Sequence, residues 1–248
     1  MRIFVLAALF LGVTAIAAGQ TTRQWEYQGK NGPLNWGKLG PANTSCSKGH
    51  EQSPIDIHNA HLNKALKPIE FHYIAGPVTV ENDGRTIVVH VDPGSYILAG
   101  GVRYELDHLE FNRPSETAVK GKLTEMGVHL IHKSADGKMA VIEVRLAEDR
   151  GAPNAVVATL WEHMPTIARS TAKVTDMVNP GGLLPGDPGY WTYMGSLSTP
   201  PCTEGVRWFV FEEPVTISRE QLLAFTGMFP VASRPLQEPH GRRVEASE

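Results

Sequence analysis

Long apolar runs are missing from this chain beyond residue 18, which excludes a membrane-spanning helix in the stretch that follows. An excess of either charge is missing too. The 23 lysines and arginines against 26 aspartates and glutamates leave a net charge of -3, which excludes a polyanionic partner such as nucleic acid. No repeat, linker or shift of composition divides the 248 residues, so the length fits one domain with a sizeable core. Cysteine is scarce: Cys46 and Cys202 leave room for one disulfide at most. What the chain does contain is turn formers, 24 glycines and 18 prolines, together with 42% hydrophobic residues, ordinary for a globular interior.

The single long apolar run stands at the start. Met1-Arg2, then Ile3 to Ala18, with the small residues Ala15, Ala17, Ala18 and Gly19 at its end, has the form of a secretory signal peptide over residues 1–19. Cleavage is expected between Ala17 and Gln20; an uncleaved anchor is the alternative, and the small residues argue against it. The expected location is outside the cytoplasm, periplasmic or secreted, with a soluble mature chain. In an exported chain two cysteines are most simply one disulfide, with two free thiols as the alternative. For so long a loop, chain entropy sets an upper figure of about 5 kcal/mol.

Along the mature chain, Trp25, Tyr27 and Trp36 punctuate an irregular start rich in turn formers. Strands are expected at Pro68 to Phe71, Val78 to Glu81 and Thr86 to Val91, separated by Gly76-Pro77, Asn82-Asp83-Gly84 and Asp92-Pro93-Gly94. Further strands are expected at Tyr104 to Asn112, Ala118 to Leu123, Gly127 to His132, Met139 to Leu146, Tyr190 to Tyr193 and Val206 to Phe211. Helical spacing favours Ala155 to Met164, ended by Pro165, and Ser218 to Phe225, where Ser218 and Gln221 form a capping box. The result is a single domain over residues 20–240, mainly β with a few short helices, and a polar, loose tail at 241–248.

Within the strand from Tyr104, the two-residue period places His108, Glu110 and Asn112 on one face and Leu109 and Phe111 on the other. A row of metal-capable or proton-handling groups is one reading; a solvated strand face is the commoner meaning of alternating polar residues. The same period puts the apolar Tyr104 and Leu106 on the polar face, which counts against solvation. The remaining histidines show no ligand-like grouping beyond His58 and His61, which read as surface or packing residues.

Five separated motifs then narrow the field: Gln52-Ser53-Pro54-Ile55-Asp56-Ile57, Pro114-Ser115-Glu116, Leu183-Leu184-Pro185, Tyr190-Trp191-Thr192-Tyr193 and Gly195 to Pro201. In order and spacing, from about Trp25 to Gln237, the chain resembles the α-class carbonic anhydrases. The resemblance implies a large, mostly antiparallel ten-stranded sheet with short helices around it, and an active-site cone ending in zinc. Three histidines hold that zinc, two on one strand with one residue between them and a third on the neighbouring strand. Bound zinc lowers the pKa of its water to about 7 and supplies hydroxide to attack carbon dioxide.

Carried over residue by residue, the resemblance implies an altered site. The paired ligand positions fall on Glu110 and Asn112, while the third falls on His129 and matches. The glutamine expected before the pair is His108, the glutamate expected beside the third ligand is Gly127, and the histidine expected after Ser115-Glu116 is Thr117. His129 is thereby expected to lack the carboxylate that fixes its tautomer. The proton-shuttle position is Arg85, whose guanidinium does not release its proton at any relevant pH.

Other positions keep their family roles. Ser198 retains the hydroxyl that accepts from zinc hydroxide, Glu116 the carboxylate that orients it, and Ile131, Val141, Leu197, Thr199, Val206 and Trp208 the carbon dioxide pocket. Cys46 and Cys202 match the disulfide of exported members. The expectation is a carbonic anhydrase-related binding or structural protein, a ligand-deficient member that lacks normal hydration activity and carries no cofactor, with a small molecule in the apolar cone as the partner class. The alternative is an active or weakly active carbonic anhydrase, or another metal-dependent hydrolase, with zinc or another divalent metal in a rebuilt His108/Glu110/His129 site. For His108 without a metal, an acid-base pair with Glu110 is favoured.

Overall fold

The computed structural model describes residues 24–149, 151 and 153–248; the expected leader, residues 1–19, lies outside them. The start of the described chain is pinned as its aromatic content suggested. The Trp25 ring meets the edges of Tyr27 and Trp36 at 5.2 Å, and Trp36 Nε1 donates to the Glu26 carbonyl at 2.9 Å. One short helix follows, α1 (Ser45–Lys48).

The strands of the first part are β1 (Asp56–Ile57), β2 (His61–Leu62), β3 (Glu70–His72), β4 (Gly76–Asn82), β5 (Ile87–Val91), β6 (Tyr96–Ala99) and β7 (Val102–Asn112). They continue with β8 (Ala118–Val119), β9 (Met126–Ser134) and β10 (Met139–Asp149). Helix α2 (Ala155–Glu162) then leads to β11 (Ser170–Val178), β12 (Tyr190–Ser196), β13 (Glu204–Phe211), β14 (Val215–Ser218), helix α3 (Arg219–Thr226) and β15 (Glu245–Ala246).

Thirteen of these strands join in one sheet, whose long path of ten runs β11-β4-β5-β7-β9-β10-β13-β12-β15-β2; β6, β3 and β14 attach beside it, while β1 and β8 pair apart. Most pairs are antiparallel, the exceptions in the large sheet being β10 with β13 and with β14, and β15 with β2. The expected mainly β architecture, a large, mostly antiparallel sheet with short helices, is what is found, with thirteen strands in that sheet where ten were expected.

Local chemistry accounts for the turns. Between β4 and β5, Asn82 Oδ1 accepts from Gly84 N at 2.9 Å, Asp83 Oδ1 accepts from Arg85 N and Thr86 N at 2.7 and 2.8 Å, and Gly84 takes the positive φ of +90° that only glycine adopts freely. Helix α2 starts on Asn154, whose side chain accepts from Val157 N, and α3 has the expected capping box between Ser218 and Gln221.

The central strands β9 and β10 are buried on both faces, so their side chains divide by parity. Val128, Leu130, Ile142 and Val144 enter the larger core, whereas Ile131, Val141, Val206, Trp208 and Tyr193 form a second apolar cluster on the opposite face. That second cluster holds the residues expected to wall the cone.

Strand β7 corrects the simple two-residue reading. Its pairing with β9 slips between Leu106, opposite His132, and His108, opposite Ile131, leaving Asp107 as an extra residue. The bulge reverses parity, so Tyr104 and Leu106 lie in the larger core with Leu109 and Phe111, and do not share the face of His108, Glu110 and Asn112.

The tail also differs from expectation. Val244 is buried, β15 pairs with both β12 and β2, and the Arg242 guanidinium donates to the carbonyls of Gln52 at 2.6 Å and Met194 at 3.2 Å. Its side chains gave no periodic signal because its attachment runs through short strand pairing, one arginine and one buried valine. The disulfide Cys46–Cys202 is present, with Cα atoms 5.0 Å apart, and ties the N-terminal segment to the loop between β12 and β13. Among the described residues no helix is long and apolar enough to cross a membrane.

Candidate functional site

Three adjacent strands build the floor of the cone. In the β7–β9 register Glu110 stands opposite His129, and in the β9–β10 register His129 stands opposite Glu143, giving a transverse row Glu110, His129, Glu143. Asn112, two residues from Glu110, and Glu116, just past the end of β7, complete the floor. His129, Glu143, Glu116 and Asn112 are all buried, whereas Glu110 and His108, nearer the mouth, are part-exposed.

Sequence reasoning missed Glu143. The signal was present: a glutamate inside the apolar run Met139 to Leu146 is a residue seldom fully buried without a partner. Its carboxylate accepts from the backbone N–H groups of Glu116 at 3.2 Å and Thr117 at 3.0 Å, and from the Thr117 hydroxyl. It also lies 3.8 Å from His129 Nε2, and Glu116 lies 3.9 Å from the same nitrogen. Two carboxylates thus face the His129 ring from positions other than Gly127, neither within hydrogen-bond distance of Nε2.

The electrostatics follow from this packing. Burial would lower the His129 pKa, but the contact with Glu143 and the charges of Glu116, Glu143 and Glu110 outweigh it and hold the imidazole above its ordinary value. Burial would likewise raise Glu143, yet His129 and Thr117 hold it below the usual carboxylate range. Glu116 goes the other way: burial pushes it up to about 7, against the pull of His129, of Ser198 and of the Arg234 backbone N–H, which donates to Oε1 at 2.7 Å. The floor is thus a histidine whose charged form is favoured by the carboxylates around it, and one of those carboxylates, Glu116, is itself pushed up to about 7.

Toward the mouth, His108 uses both ring nitrogens: Nδ1 lies 2.7 Å from Asp107 and Nε2 lies 3.3 Å from Glu110. Burial would lower its pKa and the two carboxylates raise it overall. For Glu110, burial would raise the pKa, but His108 and then His129 hold it down. The acid-base pairing expected for His108 is present, with Asp107 as a second partner made available by the bulge.

The three-histidine zinc centre implied by the resemblance requires three neutral nitrogens and an open position. Here the corresponding side chains are a carboxylate, an amide and one imidazole. Asn112 Nδ2 donates to the Ala232 carbonyl at 3.2 Å, which fixes the amide. Buried atoms without partners do converge on this region, namely Asn112 Oδ1, Glu116 Oε2 and His129 Nε2, but they are not the donor set that zinc centre uses. Among the described residues no three His, Cys, Asp or Glu side chains are grouped so as to hold a metal ion, the set His108, Glu110 and His129 included.

The other predicted positions divide. Ser198 is buried beside Glu116. Ile131, Val141, Val206 and Trp208 come together, with Leu197 packed against them, and the Trp208 ring meets His129 edge-on at 5.0 Å. Thr199 lies in the turn whose carbonyl accepts from Cys202 N at 2.8 Å. Arg85 is bound to Asp83 at 2.5 Å, and its guanidinium sits 4.1 Å over the Trp25 ring.

Comparison with known proteins agrees with this fold. The family profile described as eukaryotic-type carbonic anhydrase matches residues 31–248. A carbonic anhydrase of Pectobacterium carotovorum is 37% identical over 238 residues, 96% of each chain. The α-carbonic anhydrase of Thermovibrio ammonificans, solved with the inhibitor sulfanilamide, superposes with a TM-score of 0.86 at 36% identity, covering 91% of this chain and 99% of that one. A dioscorin solved as a complex with ascorbate superposes with a TM-score of 0.84 at 28% identity, covering 90% and 97%.

Proposed function

The chain belongs to the eukaryotic-type carbonic anhydrase family, the α class, and we propose that it is a member whose cone acts in binding or in structure, without zinc-hydroxide hydration of carbon dioxide. One observation carries this reading: the two paired ligand positions are Glu110 and Asn112, and the remaining histidine, His129, faces the carboxylates of Glu116 and Glu143. A carboxylate in place of imidazole adds negative charge and raises the pKa of any bound water, and a neutral amide is a weak ligand. Arg85, anchored by Asp83 and Trp25, offers no proton relay.

The apolar wall of the cone favours a small molecule as its occupant, and the dioscorin solved with ascorbate shows that a protein of this fold can take a ligand of another class. Export, as residues 1–19 suggest, accords with the Cys46–Cys202 disulfide.

The competing reading is a weakly active carbonic anhydrase or another metal-dependent hydrolase using His108, Glu110 and His129. The names of the relatives favour it; the double engagement of His108 by Asp107 and Glu110 weighs against it. The test is to incubate the purified mature chain with excess zinc, remove what is unbound, and measure zinc by elemental analysis and carbon dioxide hydration by stopped flow. The expected result is zinc well below one per chain and a rate equal to buffer. Stoichiometric zinc with hydration clearly above buffer overturns the proposal.

A further inference from the structure

On the face of the sheet away from the cone lies a cavity of about 550 Å³, bounded by the β6–β7 hairpin, the segment 65–67 and strands β12, β13 and β15. The same parity that sends Trp208 into the cone sends Arg207 and Phe209 to this side, and the registers set Phe209, Thr192 and Glu245 in one row across three strands. The volume falls within the range of small-molecule sites.

Its polar side chains are those of Thr192, Arg207, Glu245, Lys67 and Tyr190, the last donating its hydroxyl to the Lys67 carbonyl at 2.7 Å. Thr192 is 2% exposed and its hydroxyl has no hydrogen-bond partner among the described residues. Arg207 is half-buried, lies close enough to Tyr190 to pull on its phenol, and forms no ion pair or hydrogen bond among the described residues. Glu245, the one carboxylate in the lining, is already engaged by Arg243 at 3.3 Å. Tyr104 and Phe209 supply aromatic walls.

An unpaired guanidinium beside aromatic walls, with an unsatisfied hydroxyl at the base, is complementary to a carboxylate carried on a flat apolar body. We propose that this cavity is a second binding site, for a small aromatic monocarboxylate, in which Arg207 takes the carboxylate and Thr192 completes its hydrogen bonding. The site does not rest on the function proposed for the cone, from which it is separated by the thickness of the sheet.

The probes are benzoate and its neutral analogue benzamide, titrated into the full mature chain up to about 10 mM and followed by saturation-transfer NMR, an affinity range suited to a ligand of this size. Benzoate is expected to bind, and benzamide to bind at least about fivefold more weakly. Arg207→Met should lower benzoate affinity by about tenfold and Thr192→Val by about threefold, while Glu110→Gln, at the cone, should leave it unchanged. A melting curve for each variant checks that it is folded; Arg207 is half-buried and Thr192→Val is nearly isosteric, so one variant at least reports on the site. No benzoate binding, equal binding to both substituted forms, or loss of binding with Glu110→Gln overturns the proposal, the last by placing benzoate in the cone.

Discussion

The Glu143 carboxylate stands 3.6 Å from where a Cβ on Gly127 would lie, so the space beside His129 that a side chain at 127 would enter is already held by a carboxylate from the neighbouring strand. A negative charge thus stands next to the buried imidazole, supplied by β10 and not by position 127. The bare glycine also lets the Ser115 backbone close in, its Cα only 3.3 Å from that same point.

Removing Glu143 should therefore be costly. Glu143→Ala leaves two backbone N–H groups and the Thr117 hydroxyl without their acceptor and takes a carboxylate from beside His129, a loss of about 3–5 kcal/mol for a broken buried pair. Gly127→Glu alone should also destabilise, because the new side chain meets Ser115 and a like charge. Made together, the two changes should cost clearly less than the sum of the single costs, since the second carboxylate then has a place beside His129. Chemical denaturation of the four proteins in a double-mutant cycle measures this, and strict additivity would show that the two positions do not share one role.

Restoring the ligand pair tests how much of the cone survives. Glu110→His with Asn112→His places two imidazoles on the face of β7 that already looks toward His129. Zinc content by elemental analysis should rise to near one per chain, and the cobalt-substituted protein should show the visible bands of a tetrahedral site. Hydration should stay far below that of a complete enzyme, because Arg85 at the relay position remains bound to Asp83 and Trp25. If no metal is gained, the obstacle lies in the carboxylate-held histidine rather than in the missing ligands.

Most of the sheet was legible because its central strands carry strong β signals and its turns carry Asn, Asp, Gly and Pro. Strand β11 escaped because it lies at one end of the sheet and buries little besides Val174 and Val178, with a register shift between them. Strand β15 escaped because its attachment is through backbone groups. At the site, the motif Pro114-Ser115-Glu116 pointed to Glu110, Asn112 and His129, which the strand registers bring to one face, but Glu143 lies on β10, outside every quoted motif, and only strand pairing brings it to His129. The bulge at Asp107 was invisible to a two-residue period, which assumes an uninterrupted strand.

The Cys46–Cys202 link spans 156 residues in sequence, so reducing it frees most of the domain in the unfolded state. Chain entropy puts the loss at no more than about 5 kcal/mol. Cys46→Ala with Cys202→Ala should fold in the cold and melt well below the parent, the difference disappearing when both are compared under reducing conditions. The Cys202 carbonyl accepts from Gln52 at 3.1 Å and the Cys46 carbonyl from Arg234 at 3.0 Å, so the local contacts persist without the sulfur bridge. A parent that melts equally with and without reductant would show that these contacts alone hold the segment.

Glu116 and His132 act with opposite signs on the pH dependence. Its folded pKa, near 7, lies above the ordinary carboxylate value of 4.5, so between these two the folded state binds more protons than the unfolded one. Stability from this group is complete below about pH 4.5 and is lost as pH rises toward 7, by at most about 3 kcal/mol. His129, raised above its ordinary 6.5, acts in the same direction from there upward. Glu143 and Glu110, both lowered from 4.5, oppose this only on the acid side, where their stabilisation disappears as pH falls through their folded values. His132, buried and lowered to about 3, acts the other way between that value and 6.5. Melting temperature should therefore be nearly level across the mildly acidic range and fall from about pH 6.5 toward pH 8. Glu116→Gln, neutral throughout, should make stability rise with pH between about 4.5 and 6.5, where His132 then acts unopposed; an unchanged slope in that variant would mean the proton is held elsewhere in the cluster.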